Sequence, residues 1–344
     1  MAESIKTMEE FSRFVGLSRP TVSKFFHDPA SVRKTTRAKI EQALAKSGFK
    51  PNLFAVNLNR RRSNILGVII PNALDPFFMA LARQIERVAA DAGFLSFILS
   101  SDGRIEKQEE AIATLSSLNV AGAIVAPTGH GGSGKALEKL RRAIPVVHVD
   151  APPDPDAAFV GTDNRKSFGL IVDYLCRSGE APAFFGMPRV NVNADDRRDA
   201  YIEAMTAQGR TPVLVDLPAQ TTWDFEQFGF DQATEILSRQ GFPSRTLVCA
   251  NDRIAFGVVS AAWRHGLKIG HGPGFDLRIA GHDDHPLSRY TCPPLTTVAQ
   301  DYGQIGSLAI ALLLKKLGEA DGDDIRLSRD RILLDGALML RQSA

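Results

Sequence analysis

Thr7-Met8-Glu9-Glu10-Phe11-Ser12-Arg13-Phe14-Val15-Gly16-Leu17-Ser18, followed directly by Arg19-Pro20-Thr21-Val22-Ser23-Lys24-Phe25-Phe26, decides how this 344-residue chain is read. Thr7 and Glu10 stand at the spacing where a threonine hydroxyl accepts an early backbone N–H and a glutamate reaches back to the cap. A helix is expected to start there. Phe11, Phe14 and Val15 fall on one face, Gly16-Leu17 breaks the run, and Ser18 offers a second cap. The second helix is expected over Arg19 to about Phe26. A third runs from about Lys34 to Lys46, with Ile40, Ala43 and Leu44 closing a small core and Gly48 ending it. Two short helices joined by a glycine-containing turn match the helix-turn-helix, whose second helix presents its N-terminal residues to base edges. Arg19 can then donate twice to guanine, and the Thr21 methyl can touch thymine. Ser23 and Lys24 suit phosphate, and Pro20 sits where no N–H is required. A small helical bundle with a solvated charged face would show the same spacing.

The charge balance agrees with a polyanion partner. Residues 1–62 hold 13 Lys/Arg against 5 Asp/Glu, while 63–344 hold 28 against 34, so a net charge of +2 hides a head at +8 and a body at −6. No segment has a basic start followed by an unbroken apolar run, and no window approaches the roughly 20 apolar residues of a membrane span. Cys176, Cys249 and Cys292 are too few and too scattered for a disulfide framework, and no CxxC pair suggests zinc. The expected compartment is the cytoplasm, with the protein on the nucleoid when bound to DNA, and no cofactor or metal is expected.

The quoted stretch, with Thr36-Arg37-Ala38-Lys39-Ile40 and Gly48-Phe49-Lys50-Pro51-Asn52, resembles the N-terminal domain of the lac repressor family, and the likeness extends through nearly the whole chain. The resemblance implies a helix-turn-helix domain over 1–50, a hinge helix and linker over 51–62, and an effector-binding and dimerisation body over 63–344. It places Leu53-Phe54-Ala55-Val56-Asn57-Leu58 in the minor groove, with Leu58 as the apolar wedge that kinks the duplex. Val56 stands where an arginine is common in this hinge. Arg60-Arg61-Arg62 lies against phosphate or forms a solvated linker. The DNA-contact candidates are Thr7, Ser18, Arg19, Pro20, Thr21, Ser23, Lys24, Asn52, Ala55 and Leu58.

From Ile65 onward apolar runs (65–70, 94–99, 122–125, 146–149, 181–186, 246–250, 277–281) alternate with helical patterns, which implies parallel sheets covered on both faces. Ligands bind such folds at the strand C-termini. The resemblance implies a body like the periplasmic sugar-binding proteins: two subdomains, about 63–160 plus 293–325 and 161–290 plus 326–344. The chain would cross between them near 158–164, 284–295 and 325–329.

Candidate effector residues lie at the strand ends. The resemblance implies that Asp75, followed by Pro76 and Phe77, offers an oxygen to a sugar hydroxyl with a ring nearby, and Asp before Pro is equally a helix cap. Asn251 and Asp252 after one strand and Asp283 after the next match family positions that hold vicinal hydroxyls. Arg197, opening a helix over 197–208, aligns with a ligand-contacting arginine. Asp102, Asp150 and Trp223 complete the set, Trp223 aligning only if one residue is inserted. Carboxylates, amides and a ring suit a sugar or sugar-like polyol; a nucleobase would want more stacking.

Two other motifs are discounted. Gly129-His130-Gly131-Gly132-Ser133-Gly134-Lys135 fits GxxxxGK, but Ala136 stands where a phosphate loop needs Ser or Thr for Mg²⁺. His282-Asp283-Asp284-His285 lacks further clustered metal ligands. The expected function is a homodimeric repressor, not an enzyme, that reads a near-palindromic operator and is induced by a carbohydrate. The chain carries no leucine-rich heptad tail after its last strand, so a tetramer is not expected. The rival classes are a solute-binding protein and a nucleotide- or sugar-acting enzyme built on the same body.

Overall fold

The computed structural model describes residues 5–27, 29–50, 63–129, 134–319 and 325–344. Two compact units make up the chain: residues 1–65 with 119–121, and residues 66–118 with 122–344.

In the first unit α1 spans Met8–Val15, α2 Arg19–His27 and α3 Lys34–Ser47. The expected capping box is present, the Thr7 hydroxyl accepting from Glu10 N–H and the Glu10 carboxylate accepting from Thr7 N–H. Gly16 ends α1 at φ 67°, a left-handed conformation that glycine adopts without steric cost. Phe11, Val15, Val22, Phe25, Ile40 and Phe49 form the core, with the Phe11 and Phe49 rings stacked at 4.6 Å. Residues 51–62, and with them the hinge expectations at Asn52, Ala55 and Leu58, lie outside the described residues.

The second unit is α/β, with strands and helices alternating as expected. Its elements in order are β1 Ile65–Ile70, α4 Pro76–Asp91, β2 Leu95–Ser100, α5 Ile105–Ser117, β3 Gly122–Val125, α6 Gly134–Ala143, β4 Val146–Val149 and β5 Phe159–Thr162. Then come α7 Asn164–Ser178, β6 Ala183–Phe185, α8 Asn193–Ala207, α9 Phe225–Arg239, β7 Thr246–Cys249, α10 Asp252–Arg264 and β8 Arg278–Ala280. The chain closes with β9 Thr297–Ala299, α11 Tyr302–Leu317, β10 Arg331–Leu334 and β11 Ala337–Met339. Among the described residues no helix is long and apolar enough to cross a membrane.

Two lobes share these elements. A six-stranded sheet in the order β10-β5-β4-β3-β1-β2 forms the first, with β1, β3, β4, β5 and β10 pairing in parallel. The parallel sheet β6-β7-β8 and the antiparallel ribbon β9-β11 belong to the second. Its core gathers Phe168, Leu175, Phe184, Tyr201, Val248, Ile254 and Val298.

The first passage between lobes follows β5, as expected, but the other two come later than the sequence suggested. Residues 284–295 stay on the second lobe, tied by His285 N–H and Ser288 Oγ to the Asp252 carboxylate. The chain leaves only after β9, and α11 then packs on α4, β3 and β4 of the first lobe. β10, assigned by sequence to the second subdomain, joins the first sheet beside β5, and the chain returns at β11. Pairing partners decide sheet membership, and a four-residue strand such as Arg331–Leu334 carries no local mark of its partner.

Candidate functional site

Two surfaces collect the residues singled out by sequence. On the helix-turn-helix, Val22 and Phe25 are buried, which turns the opposite side of α2 outward and leaves Arg19, Pro20 and Lys24 exposed and Thr21 and Ser23 half-buried. Ser18 Oγ lies 2.8 Å from Thr21 Oγ1 and accepts from Thr21 N–H at 3.4 Å, the expected second cap. The Thr7 oxygen is likewise engaged within its cap at 3.2 Å. Backbone N–H groups of Lys6 and Thr7 hold the Glu10 carboxyl below its ordinary range, so the first turn of α1 keeps its negative charge.

In the body, strand ends and helix starts of both lobes line a narrow cavity whose unfilled space, open solvent at its mouth included, comes to about 380 Å³. Asp75, Phe77, Asp150, Arg197, Trp223, Asn251 and Asp283 all line it, so seven of the nine candidates converge. Asp75 serves as cap and as wall. Its Oδ1 accepts from Phe77 N–H at 2.9 Å while Oδ2 accepts from Arg253 Nη1 at 3.1 Å. Burial raises its pKa and the Arg253 charge works against that rise. Asn251 also caps a helix, its Oδ1 accepting from Ile254 N–H at 2.8 Å. Phe77 and Phe78 meet edge to face at 5.2 Å, and the Trp223 ring lies between Phe78 and Phe225 at 6.4 and 5.7 Å.

The charged floor is built around Asp283. Its Oδ1 accepts from Arg197 Nη2 at 3.0 Å, Gln300 Nε2 at 2.6 Å and His282 Nδ1 at 2.9 Å. Burial alone would raise its pKa; Arg197 and these donors outweigh it and hold the carboxyl below its ordinary range, so it is ionised. Arg197 is almost fully buried and also donates to Ala250 O at 2.8 Å. Gln300 accepts in turn from Thr162 Oγ1 at 2.7 Å, joining the floor to β5. Asp150 meets amides, accepting from Asn191 and Asn193 Nδ2 at 3.3 and 3.1 Å. Its enclosure pushes its pKa up to about 7, with the Arg197 charge opposing. Asp150 at φ 65° and Asp283 at φ 123° occupy left-handed conformations unusual for aspartate, the kind of strain that collects at ligand sites.

Two candidates are corrected. Asp252 does not line the cavity: it is fully buried behind it, accepting from Ser288 Oγ at 2.6 Å, Thr297 Oγ1 at 2.6 Å and His285 N–H at 2.8 Å. Its burial pushes its pKa up to about 7. As the first residue of α10 its side chain turns back into the lobe. Asp102 is exposed, bound to Lys107 and Ser100 on the first lobe, and does not line the cavity. Its neighbour Gly103 does meet the site from outside, since a Cβ there would fall 2.0 Å from Trp223 Cδ1. A third correction concerns α8, which starts at Asn193 rather than Arg197. Val192 stands at its N-cap and has no side-chain oxygen, so the start carried no sequence signal.

Sequence reasoning missed Phe78, Met187, Asn191, Asn193, Phe225, Arg253 and Gln300. Phe78, Phe225 and Arg253 sit one or two residues from chosen positions, and Asn191-Val192-Asn193 follows a strand as the other candidates do. Gln300 was hidden by the misplaced second passage between lobes.

Residues 7–52 match the bacterial regulatory proteins of the lacI family, and residues 172–344, half of the chain, match the periplasmic binding protein-like domain. The chain is 27% identical over 343 residues to the ribose operon repressor of Escherichia coli (strain K12), covering 98% of this chain and 99% of that protein. It is 28% identical over 338 residues to the HTH-type transcriptional repressor CytR of the same organism, covering 97% of each. The crystal structure of the lac repressor dimer bound to operator and the anti-inducer ONPF shares the fold, with a TM-score of 0.82 at 23% identity over 98% of each chain. With both its head and its body matched, the chain belongs to the lacI family of bacterial regulatory proteins, its body a periplasmic binding protein-like domain.

Proposed function

We propose that this DNA-binding, effector-controlled regulator is a homodimeric repressor that reads a near-palindromic operator and is released by a sugar or sugar-like polyol. The observation that carries the reading is one chain holding both an outward-facing α2 and a cavity whose wall combines carboxylates, amides and aromatic rings. Ionised Asp283 accepts from hydroxyls, Asp150 donates or accepts according to its protonation, Asn251 and Arg197 fix oxygens, and Phe77 and Trp223 cover the C–H face. On DNA, Arg19 and Thr21 read base edges beside Pro20. Thr7, Ser18, Ser23 and Lys24 hold phosphate, and the hinge with Asn52, Ala55 and Leu58 enters the minor groove. The two E. coli relatives are repressors by name, one of a ribose operon, and the lac repressor structure is a dimer on operator. The protein then works in the cytoplasm and on the nucleoid, by binding rather than turnover. A coupling of about 1–3 kcal/mol between the two sites is typical and is enough to switch a promoter several-fold or more.

A fluorescence-anisotropy titration against the DNA upstream of the chain's own gene, in rising salt and with a panel of sugars and polyols, tests this. Tight, salt-sensitive binding that one compound weakens is the expected result. Equal affinity for random DNA, or indifference to the whole panel, refutes it.

A further inference from the structure

Arg253 was not among the residues singled out by sequence, yet it ties residues of both lobes together at the cavity. Its Nε and Nη2 donate to Glu226 Oε1 and Oε2 at 2.7 and 2.6 Å, a two-pronged pair within the second lobe. Its Nη1 reaches across the cavity to Asp75 Oδ2 at 3.1 Å on the first lobe. The guanidinium face rests on the Phe225 ring, 5.1 Å from its centroid. The Arg253 side chain is 12% exposed and that of Asp75 7%, so the bridging pair is screened little by salt.

Both ends of this bridge are anchored. Glu226 and Arg253 sit where α9 and α10 touch backbone to backbone: a Cβ on Gly229 would fall 2.4 Å from Ile254 O, and one on Gly257 would fall 2.2 Å from Glu226 O. Asp75 is fixed by capping α4. A link with two rigid ends transmits lobe position, whereas one made by mobile side chains would be absorbed by their rotamers.

We infer that Arg253 is a positioning residue whose pair with Asp75 clasps the two lobes shut, setting how far the closed form is populated before any effector arrives. The inference rests on the reading of the cavity as the effector site, and it adds what governs its closure. A ligand that binds the closed form gains apparent affinity in proportion to the fraction already closed.

Trp223 reports the clasp, because this second-lobe ring packs against Phe78 and Gly103 of the first lobe and loses that cover when the lobes part. Replacing the other tryptophan, Trp263, which is 75% exposed, by Phe leaves Trp223 as the sole tryptophan, excited selectively at the red edge where tyrosine does not absorb. In that full-length background Arg253→Met keeps the stem over Phe225, and Asp75→Asn keeps an oxygen to cap α4. Without ligand, each variant is expected to show red-shifted emission and about twofold or stronger acrylamide quenching, as an equilibrium moved toward the open form requires. The double variant is expected to do no more than either alone, since both remove the same bridge. Quenching unchanged in folded Asp75→Asn overturns the clasp, as does an additive double variant. Asp75→Asn decides the matter should Arg253→Met fail to fold. The clasp stands or falls on this ligand-free readout alone, and the effector reading on the operator titration.

Discussion

One oxygen of Asp283 receives three donors, and this decides what its loss does. Asp283→Ala leaves the guanidinium of Arg197 buried without its carboxylate, a change that typically costs about 3–5 kcal/mol. The variant is expected to melt several degrees lower, to bind operator with unchanged affinity while folded, and to ignore the effector; an effector response that survives removes Asp283 from the site. Asp150 gives a pH dependence with a definite sign. Its pKa is raised from 3.8 to about 7 in the folded chain, so the native state holds a proton that the unfolded chain lacks between those values. The stability this group confers is complete below about 4 and is lost as pH rises through about 7. Asp150→Asn abolishes the titration, so its melting temperature relative to wild type is expected to be higher at pH 8 than at pH 5. An equal difference at both would show that Asp150 does not titrate in this range. That Asp283 and Asp150 line the cavity was legible because a polar residue directly after an apolar strand has few structural reasons to be there. That Asp252 does not line the cavity was illegible: adjacent residues at a helix start point in different directions, and the sequence is silent on which one faces the lobe interior.

Among the helices, a side-chain oxygen at the N-cap makes a start readable, although α3 was placed at Lys34 without one. Thr7 and Asp75 cap as the sequence predicts, whereas the start of α8 at Asn193 has no such mark. The pairing of α9 with α10 is a tertiary fact that the sequence shows only as two unremarked glycines. A Cβ at Gly257 would lie 2.4 Å from Phe230 N and 2.2 Å from Glu226 O, and backbone on both sides cannot yield as a side-chain end would. Gly257→Ala is therefore expected to cost at least the ~1–3 kcal/mol typical of overpacking. The check is a thermal melt, in which Gly266→Ala serves as a contrast: Gly266 has open space around it and only its φ of 74° to strain. Equal losses at the two sites would mean that the helices separate easily. Because α9 and α10 carry Glu226 and Arg253, the same substitution should loosen the bridge to Asp75.

For the whole molecule, the division of charge predicts a division of labour. Residues 1–62 carry a net +8 and the remainder −6. Operator affinity is expected to fall linearly in log–log salt titrations with a slope near −0.9 per phosphate contacted, and Lys24→Ala to reduce that slope by about one contact. Effector affinity, measured by calorimetry on the same protein, is expected to respond little to salt, since a cavity wall screens its ion pairs. A chain starting at Ser63 should keep the effector's thermal shift and lose all preference for operator. If it unfolds instead, the body depends on the head.

The sequence by itself determined the three helices of the head, the strand–helix alternation of the body, the charge division and seven of the cavity's residues. Each of these rests on short-range pattern: a cap three residues from its partner, a periodicity, a polar residue ending an apolar run. Only the tertiary structure decided that β10 lies beside β5, that α9 and α10 meet at Gly229 and Gly257, that Asp252 turns inward, and that Arg253 reaches Asp75 178 positions away. These depend on which distant surfaces come together. Pairing energies of that kind are fixed by packing and burial across the fold, and neighbouring residues along the chain carry no record of them.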